Sequence, residues 1–194
     1  MAPKPLLAVT AFVARDRELL FDDRAIEHGI HLRWSFFRDL GFPQNGFAVE
    51  RRTTQGRWET LHHVRLPETA EEALGRILDG TVDPDRLAKT YREGAEELVT
   101  VLQLLTDPSI DLPMHVRELP GESEDTDVIL KALDAVLAAA IDPYIARMLG
   151  LYWIDRSVDL TDEYLYRVKG LWDGTPWPPN VMEFSRLRPT SQSY

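Results

Sequence analysis

The feature that most constrains this chain is a change of period: extended-chain alternation at both ends, helical spacing in between. In "IHLRWSFF", Ile30, Leu32, Trp34 and Phe36 fall on one side of an extended backbone, and His31, Arg33 and Ser35 on the other. That is the pattern of a half-buried strand with an aromatic anchor. Alternation resumes in "FAVERRT" through Phe47, Val49 and Arg51. It continues in "RWETLHHV", with Trp58, Thr60 and His62 on one side and Glu59, Leu61 and His63 on the other. Gly41, Pro43 and Asn45-Gly46 punctuate the first junction and "TQG" the second. Upstream, "LLAVTAFVAR" (residues 6–15) reads as a first strand and "RDRELLFDDRAIEHG" as a loop with a short helical turn. After Gly150 the period of two returns in "LYWIDR" and "EYLYRVKGLW", and "VMEFSRLR" reads as a last strand. The early and late segments are expected to join into one two-layer scaffold.

The 85 positions between them, residues 66–150, read as a helical subdomain. "PETAEEALGRILDG" places Thr69 three residues before Glu72, a capping box, and ends at Gly80, a helix stop. Asp83 is an N-cap with Pro84 at the first helical position, followed by Leu87, Tyr91, Leu98, Leu102 and Leu105 at helical spacing. "SIDLPMHVRELPGESED" is a Pro-punctuated connection. A further amphipathic helix runs through Ile129, Leu133, Val136, Leu137 and Ala140, and Asp142-Pro143 starts a last short one that Gly150 terminates.

The strands, taken together, resemble fibronectin type III-like β-sandwiches. "LRWSF" matches the second strand with its core Trp34, "GFAVERR" and "GRWETL" the next two, and "VDLTDEYLYRVKGL" the penultimate strand with its preceding corner. The resemblance implies a tyrosine corner at Tyr164, with Val158 as a core residue six positions earlier. The fold class expected is therefore α+β: an antiparallel fibronectin type III/immunoglobulin-like β-sandwich with an inserted helical subdomain. Residues 1–65 and 151–188 would form the sandwich, 66–150 the insertion and 189–194 a flexible tail. Such an insertion is tolerated when its ends emerge close together, because loop-closure cost grows slowly with length. "DPYIARMLGLYWID" is similar to segments of bacterial modular proteins bearing such domains. That likeness implies an assembly setting such as a contractile-injection or phage-tail-like particle.

Charge is unevenly placed along the chain. Its net value is −10, yet residues 66–150 hold 18 acidic and 7 basic side chains, a balance of −11, and the remainder balances at +1. Nucleic acid is a poor partner for the acidic part, since phosphate binding needs clustered Lys and Arg. No run reaches the ~20 apolar residues of a membrane span. There are no cysteines, which removes disulfides, thiol nucleophiles and thiolate metal sites. The N-terminus lacks a clear signal-peptide cleavage site, so a cytoplasmic location is expected, compatible with later release as part of a particle.

Candidate sites are few. Glu27, His28 and His31 could supply metal ligands, but no helix controls their geometry, and surface or loop histidines are the reading preferred. His62 and His63 are adjacent in a strand and point to opposite faces. The pairs Glu71-Glu72 and Glu96-Glu97 diverge by ~100° around a helix, which suits a solvated face better than a shared proton. No serine elbow, P-loop or dinucleotide fingerprint is present. No catalytic residue, metal ligand or cofactor is assigned. Binding residues are taken from the tryptophans Trp58, Trp172 and Trp177 and from a basic cluster of Arg51, Arg52 and Arg57 near a hairpin turn.

The function expected is a non-catalytic protein-interaction or assembly module, with a protein partner or a second copy of the chain. Two alternatives stay open. One is a carbohydrate-binding module that stacks Trp172 and Trp177 on sugar rings. The other is a hydrolase with acidic residues between insert and sheet.

Overall fold

The computed structural model describes residues 7–14, 19–20, 24–25, 28–36, 42–53, 55–79, 81, 83–106, 134–159, 162–171 and 185–187. The fold is α+β. The strands are β1 (Leu7–Ala14), β2 (Leu19–Leu20), β3 (Arg24–Ala25), β4 (Gly29–Phe36), β5 (Phe47–Thr53), β6 (Glu59–Val64), β7 (Tyr152–Asp155), β8 (Tyr164–Gly170) and β9 (Ser185–Leu187). Helices fall between β6 and β7: α1 (Ala70–Leu78), α2 (Pro84–Thr106), α3 (residues 134–141) and α4 (Pro143–Met148). One antiparallel sheet has the order β1-β4-β7 and a second β6-β5-β8-β9. The stretch expected to be a loop with a helical turn instead carries the small ribbon β2-β3. Among the described residues no helix is long and apolar enough to cross a membrane.

Alternation dictates what each sheet turns inward. Ile30, Leu32 and Trp34 of β4 are buried together with Val9 of β1, and Phe47 and Val49 of β5 with Tyr166 and Val168 of β8. They belong to one apolar core, in which the rings of Trp34 and Phe47 meet edge to face at 5.4 Å across the sheets. Burying a side chain of this size removes enough apolar surface to contribute about 1.5–3 kcal/mol each.

Two positions depart from the alternation expected of the sequence. His31, expected at a surface or loop, is 1 % exposed. Its ring stacks on Phe12 at 4.6 Å and its Nδ1 shares a 2.5 Å hydrogen bond with the Tyr152 hydroxyl. The face opposite the core is thus covered at this point, because Phe12 and Tyr152 flank His31 from the strands on either side. The second departure is a register shift between Val49 and Glu50, where Val49 pairs with His62 but Glu50 with Thr60. Leu61 is the extra residue of a bulge, and it reverses the side-chain sense along β6. Trp58 and His62, read as sharing a side, therefore lie on opposite faces. His62 turns toward the other sheet and stacks on Trp153 at 5.5 Å.

The helical block begins and ends with the caps its sequence encodes. The Thr69 hydroxyl accepts the Glu72 N–H at 3.2 Å, and the Glu72 carboxylate accepts the Glu68 N–H at 2.8 Å. Asp83 accepts the Arg86 N–H at 3.0 Å, and Asp142 the Tyr144 N–H at 2.7 Å. In α2 the buried face is Leu87, Ala95, Leu98, Val99, Val101 and Leu102. In α3 the apolar stripe read through Leu137 and Ala140 is corrected: Ala135 and Ala139 are buried, while Leu137 is 59 % and Ile141 84 % exposed. Small side chains, not large ones, face inward there. Ile129 and Leu133 lie outside the described residues.

The two ends of this block meet at a narrow neck. The Arg76 guanidinium on α1 donates to the Arg65 carbonyl, just after β6, and to the Met148 carbonyl at the end of α4. Gly150 then reverses the chain with φ +71. Its N–H reaches the Arg147 carbonyl and the Leu151 N–H the Ala146 carbonyl, the paired bonds of a Schellman turn. A Cβ at Gly150 would stand 3.1 Å from the Arg76 guanidinium and 3.2 Å from Val64. Two glycine substitutions should consequently move stability in opposite directions in urea denaturation. Gly150→Ala should lose at least about 1–2 kcal/mol from the left-handed backbone alone. Gly94→Ala, in α2 with open space around it, should gain about 0.5–1 kcal/mol.

Candidate functional site

Polar chemistry gathers at two places, one between the sheets and one on the far face of the β6-β5-β8-β9 sheet. The first centres on Asp155, the last residue of β7, which is fully buried. Its Oδ2 accepts from Arg51 Nη1 and from the Tyr166 hydroxyl, each at 2.8 Å. Its Oδ1 accepts from the Ser157 N–H at 2.9 Å and the Ser157 hydroxyl at 2.7 Å. The carboxylate is thereby engaged on both oxygens. Burial raises the Tyr166 pKa, and the adjacent Asp155 charge and hydrogen bond raise it further, so the phenol remains a proton donor. Burial disfavours the Arg51 charge, but Asp155 outweighs it and the Arg51 pKa is raised. The cluster holds β7 against β5 and β8. A substrate would have to displace one of these donors to reach the carboxylate.

Beside it, Tyr164 at the start of β8 is buried, and its hydroxyl accepts the Asp159 N–H at 3.0 Å. Val158 packs against the same core. The Arg51 guanidinium lies over the Tyr164 ring at 5.0 Å, linking this corner to the Asp155 cluster. At the Asp155 end of the β4-β7 pair, Gly29 (φ +143) approaches β7 so closely that a Cβ would stand 2.5 Å from the Asp155 carbonyl oxygen.

The second place is built by alternation and the Leu61 bulge together. Glu50 and Arg52 of β5 turn away from the core, as does Arg167, which is opposite Glu50 in β8. The bulge brings Trp58 to the same side. Two guanidinium groups lie over its ring, Arg167 at 4.2 Å and Arg52 at 4.9 Å from the centroid. Glu50 accepts from Arg167 Nε and from Lys169 Nζ, the latter at 2.6 Å. Burial opposes ionisation of Glu50, but the Lys169 and Arg167 bonds and charges outweigh it and hold its carboxyl below the usual range. Arg57 is exposed in the turn between β5 and β6.

The residues read as binding candidates are therefore sorted by the structure. Arg51 does not join a basic surface cluster: one step of the pleat sends it inward to Asp155 and sends Arg52 outward to Trp58. Trp58, Arg52 and Arg57 remain on or near one face, joined by Arg167 and Lys169 from β8, which the sequence reading did not single out. Trp172 and Trp177 lie outside the described residues. Among the described residues no group of three or more His, Asp or Glu is placed to hold a metal ion. Asp155 carried a signal in the sequence: a carboxylate two residues after Trp153 in an otherwise apolar strand needs an internal partner.

Removing the Asp155 carboxylate strands a partly buried guanidinium. Asp155→Ala should cost about 3–5 kcal/mol of unfolding free energy, and Tyr166→Phe about 1.5–3 kcal/mol, both read from urea midpoints. Glu50 sets a pH dependence of definite sign. Because its folded pKa is depressed, its stabilisation is fully present above the ordinary value of 4.5 and is lost as pH falls through the folded value. The stability difference between wild type and Glu50→Gln should be flat above that value and shrink below it. Comparison with protein-family models, with curated proteins and with solved structures returned no match to this chain.

Proposed function

We propose that the chain is a non-catalytic protein-interaction or assembly module, framed as a fibronectin type III-like sandwich that carries a helical insertion. The sandwich assignment is supported by the strand order, β1-β4-β7 against β6-β5-β8-β9, and by the Tyr164 hydroxyl accepting a backbone N–H five residues upstream. The functional reading is carried by one observation: Trp58 in contact with the guanidinium groups of both Arg52 and Arg167 on the outer face of the sheet. Tryptophan and arginine dominate the energetics of protein interfaces because they present large, semi-rigid area together with directed donors. Here both are fixed before any partner arrives, so little side-chain entropy remains to be lost on docking. The buried carboxylate, by contrast, is saturated by donors and serves the frame. The setting is a larger bacterial multi-protein particle.

Lys169 offers a direct test, since it is partly exposed on the same face. The chain isolated within its native particle should form amine-reactive cross-links from Lys169 to another protein subunit. Trp58→Ala should remain folded, abolish those cross-links and weaken incorporation into the particle by about tenfold or more. Unchanged cross-linking and incorporation in Trp58→Ala would show that this face is not the docking surface.

A further inference from the structure

The cationic face and the acidic insertion carry complementary, unsatisfied charge. Arg52 and Arg57 have no carboxylate within ion-pair distance among the described residues. Glu50 is already shared by Arg167 and Lys169. With Arg57 in the adjoining turn, four cations gather here against the one carboxylate Glu50, in a chain whose net charge is −10. Local charge here opposes that of the whole molecule.

On the insertion, Glu93, Glu96 and Glu97 of α2 are exposed, and none has an ion-pair partner among the described residues. Lys89 and Arg92, one turn earlier on α2, temper this charge at Glu93 and Glu96, but from Glu97 to Thr106 the helix carries no basic residue. At ~100° per residue the three carboxylates span an arc of about 100°. That arc is diametrically opposite the buried stripe of Ala95, Leu98, Val99 and Leu102. They are displayed outward by the same packing that docks the helix.

We propose that the chain self-associates, with Arg52, held against Trp58, and Arg57 of the adjoining turn receiving the carboxylates of Glu93, Glu96 and Glu97 from a second copy. This deepens the assembly reading given above and rests on it. A guanidinium already held against an indole is pre-oriented for two-point donation to a carboxylate. The indole excludes water from one side of the pair, which strengthens the charge interaction. Face and insertion are different surfaces, so one contact leaves each copy with a second of each kind. Association propagates unless the two contacts close reciprocally about a two-fold axis.

Sedimentation velocity of the purified chain over a concentration series tests this directly. Wild type should self-associate at about 0.05 M salt and weaken at least ~tenfold at about 0.5 M, as expected for exposed charges brought within a Debye length. Arg52→Glu/Arg57→Glu and Glu93→Arg/Glu97→Arg should each sediment as monomers with unchanged circular dichroism, and mixing the two should restore association. Arg57→Glu alone, at an exposed turn position, should weaken association and serves if the double variant fails to fold. Wild type that stays monomeric at every concentration overturns the proposal. So does association that survives either reversal, or a mixture that stays monomeric. If wild type is monomeric while Lys169 still cross-links to a different subunit in the native particle, self-association fails and the assembly reading stands. If both signals are absent, both fail.

Discussion

The Asp155 carboxylate is the interaction on which the remainder of the frame depends. It sits at the end of β7, the strand by which the chain returns from the helical block, and it is bonded to side chains of β5 and β8 in the facing sheet. A purely apolar interface between two sheets resists separation but permits sliding. A buried carboxylate with four donors does not slide, because each donor has a direction and an unpaired buried charge costs several kcal/mol. The cluster therefore fixes the register of one sheet against the other. Through Arg51 it also reaches the Tyr164 corner, so the start of β8 is tied into the same network.

The neck performs the corresponding task for the helices. A long block between β6 and β7 is compatible with the frame because its two ends leave side by side, where Arg76 donates to carbonyls on both. Burial lowers the Arg76 pKa, partly offset by Glu72, but its ordinary value lies so far above neutrality that it stays charged. Gly150 completes the junction, since only a residue without a Cβ combines its left-handed backbone with the space Arg76 and Val64 leave. Strand pairing resumes at once: the Leu151 carbonyl accepts the Trp34 N–H at 3.1 Å, alongside the paired residues of β4 and β7. The helical block is thus an excursion from a frame that closes behind it.

Local signals in the sequence carried a good share of this. The caps at Thr69, Asp83 and Asp142, the stop at Gly150 and the inward rows Ile30–Leu32–Trp34 and Phe47–Val49 all follow from short-range chemistry, and all are seen. Reading failed where a single long-range contact changed the outcome. Strict alternation placed Trp58 and His62 together, and the Leu61 bulge separates them. It placed His31 at the surface, but Phe12 and Tyr152 cover it. It grouped Arg51 with Arg52 by adjacency, although adjacency in a strand is what drives them apart. In α3 hydrophobicity favoured Leu137 over Ala135 and Ala139, yet close packing selected the smaller side chains.

Short-range chemistry in the sequence accounts for the periods, the caps and the order of the longer strands and helices, and composition for the acidic insertion, but the ribbon β2-β3 was not legible there. Tertiary structure alone decided that Asp155 meets Arg51 and Tyr166, that Arg76 ties both ends of the helical block, and that Arg167 and Lys169 join Trp58. Those groups are separated by 11 to more than 100 positions. Their meeting depends on sheet register and on one bulge, and a shift of one residue in a strand exchanges its two faces.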